Sequence, residues 1–299
     1  MSGPEDLDDV LTRIRSALVA AEEALRPFRA GDVEHADKSE GEGRWDPVTE
    51  ADLAIDRVLR EALPRPGEGW LSEETHDDPE RLDMSRVWVV DPLDGTREFV
   101  QGIPEWCVSV SLVEDGEAVA GGILNPAADE VIVGGAGHGV TLNGEPTEAS
   151  TRAGLEDAVV LASRSEIGRG EWERFADAPF RVRPCGSVAY KLGLVAAGRA
   201  DATWTLVPKN EWDVAAGAAL CLAAGLQVVH ADGTEPRFNR PDPLLPNLLV
   251  GPAALLLEFR AEWLEDGAGG GPGGAGEERG GTSDARGGRG EPSGDGETR

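Results

Sequence analysis

Apolar residues follow two different periods in the first half of the chain. Residues 7–27 place apolar side chains three or four positions apart, which predicts an amphipathic helix. A second helix is predicted to start at Thr49, because Asp52 three residues later gives a pattern resembling a capping box. Residues 108–112 alternate apolar with polar or small residues, further short strand patterns follow at 118–124, 130–133 and 140–142, and the turn dipeptide Asn143-Gly144 comes next. The pattern therefore predicts two helices over an antiparallel sheet.

Strand and helix patterns alternate in the second half, after a boundary near residues 147–154. Short apolar runs predict strands, and the stretches between them predict helices over 171–176, 186–198, 213–225 and 253–264. We therefore expect an N-terminal α+β domain over residues 1–148 and a C-terminal α/β domain over residues 149–265. Residues 266–299 are rich in glycine, carry scattered charge and have no apolar period, which predicts a disordered tail.

The chain is strongly acidic, with 56 acidic and 28 basic residues and a net charge of −28. The acids are spread over the globular part, as on the surfaces of proteins from a high-salt cytoplasm. Such a charge should repel nucleic-acid polymers and anionic membranes, so neither is an expected partner. No apolar run could span a bilayer and no signal peptide is visible, so we expect a cytoplasmic location. The three cysteines show no spacing typical of a disulfide framework or a zinc site.

The most informative stretch runs from Val87 to Thr96. Four apolar residues predict a short buried strand leading into Asp91, and a second carboxylate, Asp94, follows on a turn that contains Gly95. Carboxylates at the edge of a core are costly unless they are paired or bind a cation, and Mg²⁺ prefers such oxygen ligands. Thr96 would cap a following helix, so that the N–H groups of Gly95 and Thr96 offer a place for an anion. The alternative is an ordinary strand, turn and capped helix with two solvated acids.

Lysine is rare in this sequence. The chain has only Lys38, Lys191 and Lys209, and all three lie near stretches assigned to the site on other grounds. A compact ammonium group suits a phosphate as a point charge, so all three are candidate substrate contacts, with chance clustering as the alternative. Asp46 comes just before the predicted cap at Thr49 and is free to point at a ligand.

Three stretches, in this order, resemble the inositol monophosphatase superfamily of Mg²⁺-dependent, lithium-sensitive phosphatases. They are Ser72-Glu73-Glu74-Thr75, Asp91-Pro92-Leu93-Asp94-Gly95-Thr96 and Trp212-Asp213-Val214-Ala215-Ala216-Gly217. The resemblance covers roughly residues 7–264 and has the order and spacing of the family. It implies the five-layer αβαβα sandwich of the inositol monophosphatase and fructose-1,6-bisphosphatase type, often as a homodimer.

The resemblance also implies a role for each matching residue. Two or three Mg²⁺ ions would be held by Glu73, Asp91, the carbonyl of Leu93, Asp94 and Asp213. Thr96, with Asp46 or Glu74 nearby, would orient and deprotonate the attacking water. The amides of Gly95 and Thr96 would hold the phosphate. Because Asp213 belongs to the second domain, we expect the site in a cleft between the two halves.

The substrate is a small phosphate ester whose class stays open. Inositol phosphatases hold ring hydroxyls with an acidic residue seven positions before the second-domain aspartate, and here that position is Leu206. Ser163-Arg164-Ser165, and Gly186-Ser187 followed by Lys191, look like the 3'(2'),5'-bisphosphate nucleotidases, which convert 3'-phosphoadenosine 5'-phosphate to AMP and phosphate. Arg164, Ser187, Lys191 and Lys209 would contact such a substrate, since a second phosphate needs a cation.

The spacing from Gly186 to Lys191 matches the inositol phosphatases better, however. We therefore favour a bisphosphate nucleotidase and keep an inositol or sugar phosphatase as the alternative. Outside enzymes, two further interpretations are a non-catalytic metal-binding regulatory module and a calcium-dependent structural protein. The retention of Thr96 and Asp46 argues against the binding module, because binding alone needs no pair of residues that activates water.

Overall fold

The computed structural model describes residues 6–37 and 47–265. The α-helices are α1 (Leu7–Leu25), α2 (Glu50–Ala62), α3 (Thr96–Gln101), α4 (Arg164–Gly168), α5 (Val188–Ala196), α6 (Glu211–Ala223) and α7 (Ala253–Arg260). The strands of the first half are β1 (His35–Asp37), β2 (Pro47–Thr49), β3 (Gly69–Ser72), β4 (Arg86–Asp94), β5 (Cys107–Glu114), β6 (Glu117–Asn125), β7 (Glu130–Gly135), β8 (Gly139–Leu142) and β9 (Glu145–Pro146). Those of the second half are β10 (Val159–Ser163), β11 (Arg181–Cys185), β12 (Ala202–Thr205), β13 (Lys209–Asn210), β14 (Gln227–Val229), β15 (Leu244–Leu245) and β16 (Leu248–Gly251).

Two main sheets organise these elements. The first has seven strands in the order β3 to β9, with β3 parallel to β4 and the other neighbours antiparallel. The second has five strands in the order β11-β10-β12-β16-β14 and mixes parallel with antiparallel pairs. Two short pairs, β1 with β2 and β13 with β15, are separate from both sheets.

The helices and sheets form five layers. Helices α1 and α2 cover one face of the first sheet, α5 and α6 lie between the two sheets, and α7 covers the outer face of the second. The αβαβα sandwich expected from the sequence is therefore confirmed. The inner core unites residues of both halves, so the division at residue 148 stays a prediction. Residues 266–299, expected to be disordered, lie outside the described residues.

Strand β4 shows why the apolar run at its centre is continuous. Val87 and Val89 pack into the inner core with α5 and α6, whereas Trp88 and Val90 pack against α1 and α2 on the opposite face. Side chains alternate between the faces of a strand, and a strand covered on both faces needs apolar residues at every position. The strand that leads to Asp91 is thus fixed at the centre of the sandwich.

Helix α6 lies unusually close to its neighbours because glycines face it. A Cβ on Gly121 of β6 would lie 2.4 Å from the carbonyl oxygen of Ala216, and a Cβ on Gly217 would lie 2.2 Å from Cβ of Leu192 in α5. Both distances are shorter than a carbon side chain tolerates. This packing brings the start of α6, which carries Asp213, against the first sheet.

One predicted helix is wrong. Residues 171–176 contain only a single 3₁₀ turn at Glu173–Phe175, and the helix of this region is α4, which ends five residues before that turn. Gly168 and Gly170, the latter at φ +79°, end α4 and separate the two elements. Within residues 6–37 and 47–265, no helix has the length and apolar character needed to cross a membrane.

Candidate metal and phosphate site

The site begins where strand β4 ends. The strand extends to Asp94, beyond the end predicted from the sequence, and its pairing with β5 shifts between Asp91 and Asp94. Such an irregularity re-aims side chains. Gly95 follows at φ +94°, and an added Cβ would lie 3.1 Å from the carbonyl oxygen of Glu105. A glycine is therefore needed for the chain to turn from the strand into α3.

Thr96 does not cap α3, which corrects the prediction. Gly95 occupies the capping position in a left-handed conformation, and Thr96 is the first helical residue. The Thr96 hydroxyl instead lies 3.1 Å from Oδ1 of Asp52 and 2.9 Å from the carbonyl oxygen of Leu93. Its oxygen is thus held beside a carboxylate at the edge of the cleft described below.

Asp52 is the site residue that sequence analysis missed. It completes the predicted capping box of α2, with Oδ2 accepting from the Thr49 amide at 2.8 Å and from the Thr49 hydroxyl at 2.5 Å. Its second oxygen remains for Thr96. The capping pattern was visible in the sequence, but nothing local indicated that the other oxygen reaches a residue 44 positions later.

The two predicted partners of Thr96 differ in position. Asp46 lies outside the described residues. Glu74 is described, and its backbone N–H donates to Ser72 Oγ at 3.4 Å, but its side chain does not line the cleft. Within the described ranges, Asp52 is therefore the carboxylate hydrogen-bonded to Thr96.

Three carboxylates from distant parts of the sequence meet beside this turn. Glu73 follows β3, Asp91 lies in β4 and Asp213 lies in the first turn of α6. Each offers one oxygen, and these oxygens lie within 4.8 Å of one another. Oδ1 of Asp91 accepts from the Leu93 amide at 3.0 Å, whereas Oδ2 is buried without a hydrogen-bond partner. An acceptor in that condition calls for a cation or a proton.

The electrostatics of the three carboxylates fit a divalent cation. Burial raises the pKa of Asp91 well above its ordinary value, and the charges of Glu73, Asp94 and Asp213 raise it further. Burial likewise raises the pKa of Asp213, followed by the charges of Asp94 and Glu73. Clustered hard oxygen donors with unmet charge are the chemistry that Mg²⁺ binds. The residues present therefore fit a metal centre.

Asp94 is held differently from the other three acids. Its Oδ2 accepts from the Ser187 hydroxyl at 2.7 Å and from the Ala189 amide at 2.6 Å. Ser187 was expected to contact substrate, but the structure engages its hydroxyl with Asp94. Both donors belong to the second half of the chain, at the start of α5. Asp94 thus joins the halves through one oxygen and also lines the cleft described next.

The carboxylates open into a cleft of about 1110 Å³ between the two halves. Glu73, Asp91, Leu93, Asp94, Gly95 and Thr96 line it from the first half, and Ser187, Lys191, Lys209 and Asp213 line it from the second half. Of the residues predicted from the sequence, Glu74 and Arg164 are described but do not line it. Lys38 lies outside the described residues.

Arg164 is engaged elsewhere. Its guanidinium forms a two-pronged contact with the carboxylate of Glu105, with Nη2 at 2.7 Å from Oε1. Glu105 also accepts from the Gly186 amide at 2.7 Å. The arginines that do line the cleft are Arg97 and Arg169, and Arg169 is paired with Glu171. The sequence offered no signal for choosing between two arginines five residues apart.

The two lysines of the cleft have different surroundings. Lys191 is 4 % exposed, its ammonium donates to the carbonyl oxygen of Ser187 at 2.6 Å, and burial lowers its pKa. Lys209 lies 3.1 Å from Oε1 of Glu166. Burial would raise the pKa of Glu166, but Lys209 and hydrogen bonds from Trp172 and Thr205 lower it. The two lysines are therefore held differently: Glu166 pairs with Lys209, whereas Lys191 donates to a backbone carbonyl and lies near the acids Asp94 and Glu98.

Comparisons with known proteins agree with this geometry. The sequence profile of the Inositol monophosphatase family matches residues 6–265. An inositol-1-monophosphatase from Rhizobium meliloti is 34 % identical over 229 residues, which cover 74 % of this chain and 84 % of that protein. A 3'-phosphoadenosine 5'-phosphate phosphatase from Mycobacterium bovis is 35 % identical over 189 residues, which cover 62 % of this chain and 69 % of that protein.

The fold has solved counterparts as well. The crystal structure of the extragenic suppressor protein suhB from Bartonella henselae superposes with a TM-score of 0.70 at 28 % identity, over 85 % of this chain and 97 % of that one. The five-layer sandwich, the carboxylates at the end of β4 and the profile match all indicate the same family. The chain belongs to the inositol monophosphatase family and is a metal-dependent phosphatase of that family.

Proposed function

We propose that the protein hydrolyses phosphomonoesters that carry a second anionic group, with 3'-phosphoadenosine 5'-phosphate as the substrate and AMP and phosphate as products. The observation that carries this proposal is the position of two of the three lysines of the whole chain, Lys191 and Lys209, in the wall of the same cleft that the carboxylates line.

The carboxylate side would hold the phosphate to be removed. Mg²⁺ ions held by Glu73, Asp91, Asp94 and Asp213, with the carbonyl oxygen of Leu93, would neutralise the phosphoryl oxygens and lower the pKa of the attacking water. Gly95 and Thr96 line the same part of the cleft, where their amides would bind the phosphoryl oxygens. This arrangement explains how a chain of charge −28 can accept an anionic substrate.

Thr96 and Asp52 would orient the attacking water and move its proton. The single proton of the Thr96 hydroxyl has two acceptors within reach, Oδ1 of Asp52 and the Leu93 carbonyl oxygen, and the oxygen lone pairs can accept a hydrogen bond from water. As the water attacks phosphorus, the bond from phosphorus to the ester oxygen breaks and the leaving oxygen takes a proton from solvent water. The proton of the attacking water passes to Thr96 Oγ1 while the hydroxyl proton moves to Asp52 Oδ1. The Thr49 amide and hydroxyl fix the other Asp52 oxygen, which keeps Oδ1 in place.

The lysine side would hold the second anionic group. The Lys191 ammonium donates to one carbonyl oxygen, and within residues 6–37 and 47–265 no carboxylate lies within ion-pair distance of it. A phosphate there would supply the missing acceptors and offset the loss of water that lowers its pKa. A cleft of about 1110 Å³ is large enough for a nucleoside bisphosphate.

Leu206 supports the same choice of substrate. Its side chain packs against the apolar core that the second sheet forms with α7, and it offers no acceptor for ring hydroxyls. Inositol 1-phosphate nevertheless stays the second candidate, because relatives at 34 % identity are named inositol-1-monophosphatases. Fructose 1,6-bisphosphate is a third, since a relative from Thermotoga maritima is named for both activities.

A substrate panel with one matched pair of variants tests the proposal. Initial rates of phosphate release are measured with Mg²⁺ on these three esters, at low and high KCl. Lys191→Met removes the buried charge and keeps the length of the side chain. Arg169→Gln is the control, because it removes a cleft cation that Glu171 already neutralises.

We expect 3'-phosphoadenosine 5'-phosphate to have the highest kcat/KM. Lys191→Met should lower that value about 10- to 100-fold and change inositol 1-phosphate hydrolysis little, since a charge-assisted contact contributes about 1.5–3 kcal/mol. Arg169→Gln should change neither. A higher kcat/KM for inositol 1-phosphate would replace the proposal by its alternative. Release of phosphate from none of the esters at any KCl concentration would favour the non-catalytic module.

A further inference from the structure

We infer that Arg81 and Asn239 are positioning residues for the carboxylate cluster of Glu73, Asp91 and Asp213. They tie the segment that follows Glu73 to the segment that surrounds the start of α6, where Asp213 lies. The inference rests on the metal cluster and not on the identity of the ester.

Arg81 is a buried cation at the centre of the connection. It lies in a 3₁₀ turn, Pro79–Asp83, and is 1 % exposed. Its Nε and Nη2 donate to the two carboxylate oxygens of Asp77 at 2.6 and 2.9 Å, which lowers the pKa of Asp77. Its Nη1 donates to Oδ1 of Asn239 at 2.7 Å and its Nη2 to the Arg240 carbonyl oxygen at 3.0 Å. One guanidinium therefore holds both the loop after Glu73 and a segment nearly 160 residues away.

Asn239 links Arg81 to the start of α6 by hydrogen bonds. Its side-chain amide donates back to the Arg81 carbonyl oxygen at 3.0 Å. Its backbone N–H and that of Arg240 donate to the two oxygens of Glu211 at 2.7 and 2.9 Å. Glu211 is the first residue of α6 and is fully buried, two positions before Asp213. Its own amide donates to the Pro243 carbonyl oxygen at 2.8 Å, so the start of the helix is held from both sides.

The cluster needs such a connection because its members repel one another. Asp91 is fixed in the central strand, but Glu73 lies beyond the end of β3 and Asp213 comes from the other half. Before an ion binds, their charges push these two segments apart. The hydrogen bonds of Arg81 and Asn239 do not involve the ion, and they oppose that movement. The carboxylate oxygens therefore stay close enough to bind one ion. Preorganisation of this kind raises metal affinity, since less structure must be ordered on binding.

Two variants test the inference through binding of Mg²⁺ alone, measured by isothermal titration calorimetry. Asn239→Gly deletes both side-chain hydrogen bonds and preserves the backbone, because residue 239 has φ +56° and glycine adopts it freely. Arg81→Lys keeps the charge but cannot reach Asp77 and Asn239 together. Arg13→Lys is the control, a buried arginine that pairs with Glu68 on the far side of the first sheet. Circular dichroism checks that each protein is folded at the temperature used.

We expect Asn239→Gly and Arg81→Lys to raise the Kd for Mg²⁺ about tenfold, as outer-sphere changes at metal sites do. Arg13→Lys should leave it within about twofold, because distant sites do not couple. Saturating Mg²⁺ should restore turnover of the two test variants, which general damage to the fold would not allow. An unchanged Kd in a folded Asn239→Gly protein, or an equal rise in Arg13→Lys, would overturn the inference. Failure of the wild-type protein to bind Mg²⁺ would overturn it together with the metal cluster, whereas a different preferred ester would leave it standing.

Discussion

Replacing Asp91 by asparagine should stabilise the metal-free protein and remove most of its stabilisation by Mg²⁺. Asp91 is 1 % exposed, and one of its oxygens has no hydrogen-bond partner. Asparagine has the same shape and keeps an acceptor for the Leu93 amide. Its NH₂ group would stand where the unpartnered oxygen stands and could donate to Glu73 or Asp213. The substitution thus turns a repulsive contact into a hydrogen bond at the same volume.

The sign of the pH dependence follows from the direction of the pKa shift. Burial and the neighbouring carboxylates raise the pKa of Asp91 well above 3.8, so the folded metal-free protein holds a proton that the unfolded chain has released. The free energy of unfolding must therefore fall as pH rises from about 3.8 through the raised pKa. Asp213 adds to this slope in the same direction. Asp91→Asn removes the contribution of Asp91 and should flatten the fall.

The magnitude can be bounded from the geometry. The three ligand oxygens lie within 4.8 Å of one another, and unit charges at that distance repel by about 3 kcal/mol at an effective dielectric constant of about 20. Partial protonation already relieves some of this repulsion, so we expect a net gain of about 2 kcal/mol. For a domain of this size that corresponds to a rise of about 4–8 °C in Tm.

Thermal unfolding in EDTA and in Mg²⁺, between about pH 5 and pH 8, measures both effects. Wild-type protein should gain about 2.7 kcal/mol when Mg²⁺ is at about 100 times its Kd, and Asp91→Asn should gain little. Asp201→Asn is a control in which the opposite effect is expected. Burial would raise the pKa of Asp201, but Ser150, Val159 and Arg152 stabilise its charge and lower the pKa overall. It should destabilise the protein and leave the response to Mg²⁺ unchanged. A lower Tm for Asp91→Asn than for wild type in EDTA at high pH would refute the reasoning.

Four further outcomes can be checked with purified variants. Thr96→Val should lower kcat about 10²- to 10⁴-fold and Thr96→Ser should retain most of it, because the hydroxyl beside Asp52 moves the proton; phosphate release at saturating Mg²⁺ decides. Asp94→Asn should lower turnover at least about a hundredfold with little loss of fold, because it removes charge at the metal site while the amide oxygen, with two lone pairs, still accepts both second-half hydrogen bonds; kinetics and denaturant titration check the two expectations. Lys209→Ala should reduce kcat/KM for 3'-phosphoadenosine 5'-phosphate more than for inositol 1-phosphate, and an equal loss would remove the role of Lys209 in holding the second phosphate. Gly217→Ala should lower the free energy of unfolding by about 1–3 kcal/mol, because the new Cβ would lie 2.2 Å from Cβ of Leu192, and a calorimetric Tm equal to that of wild type would contradict it.

The sequence predicted well those parts of the fold in which local pattern and tertiary structure agree. The capping box at Thr49, the hairpin at Asn143-Gly144 and the apolar strand before Asp91 are all present. Each depends on residues close together in the chain, so each leaves a local signature. The layer order followed from the family resemblance, since periodicity alone does not say which face of a sheet a helix covers.

The predictions that were wrong depended on contacts between distant residues. Thr96 fits the usual preference for a capping residue, but the left-handed turn required a glycine at the cap and left the hydroxyl free for Asp52. Arg164 was chosen as a substrate contact because it is cationic, yet Glu105, 59 positions earlier, holds it. Ser187 lines the cleft but donates its hydroxyl to Asp94, so its contact with substrate stays a prediction. In each case the side chain was of a suitable type, and only the fold decided what it touches.

The acidic cluster itself shows how the fold supports the chemistry. Helix α6 packs closely against the first sheet at Gly121 and against α5 at Gly217, and these contacts do not depend on any ion. That apolar packing carries Asp213 to Asp91 although their charges repel. Packing of the core therefore supplies the free energy that holds the carboxylates together against their repulsion. When a cation binds, it removes that repulsion. A variant that loosens α6, such as Gly217→Ala, should consequently weaken Mg²⁺ binding as well as folding, even though residue 217 is a full turn of helix away from Asp213.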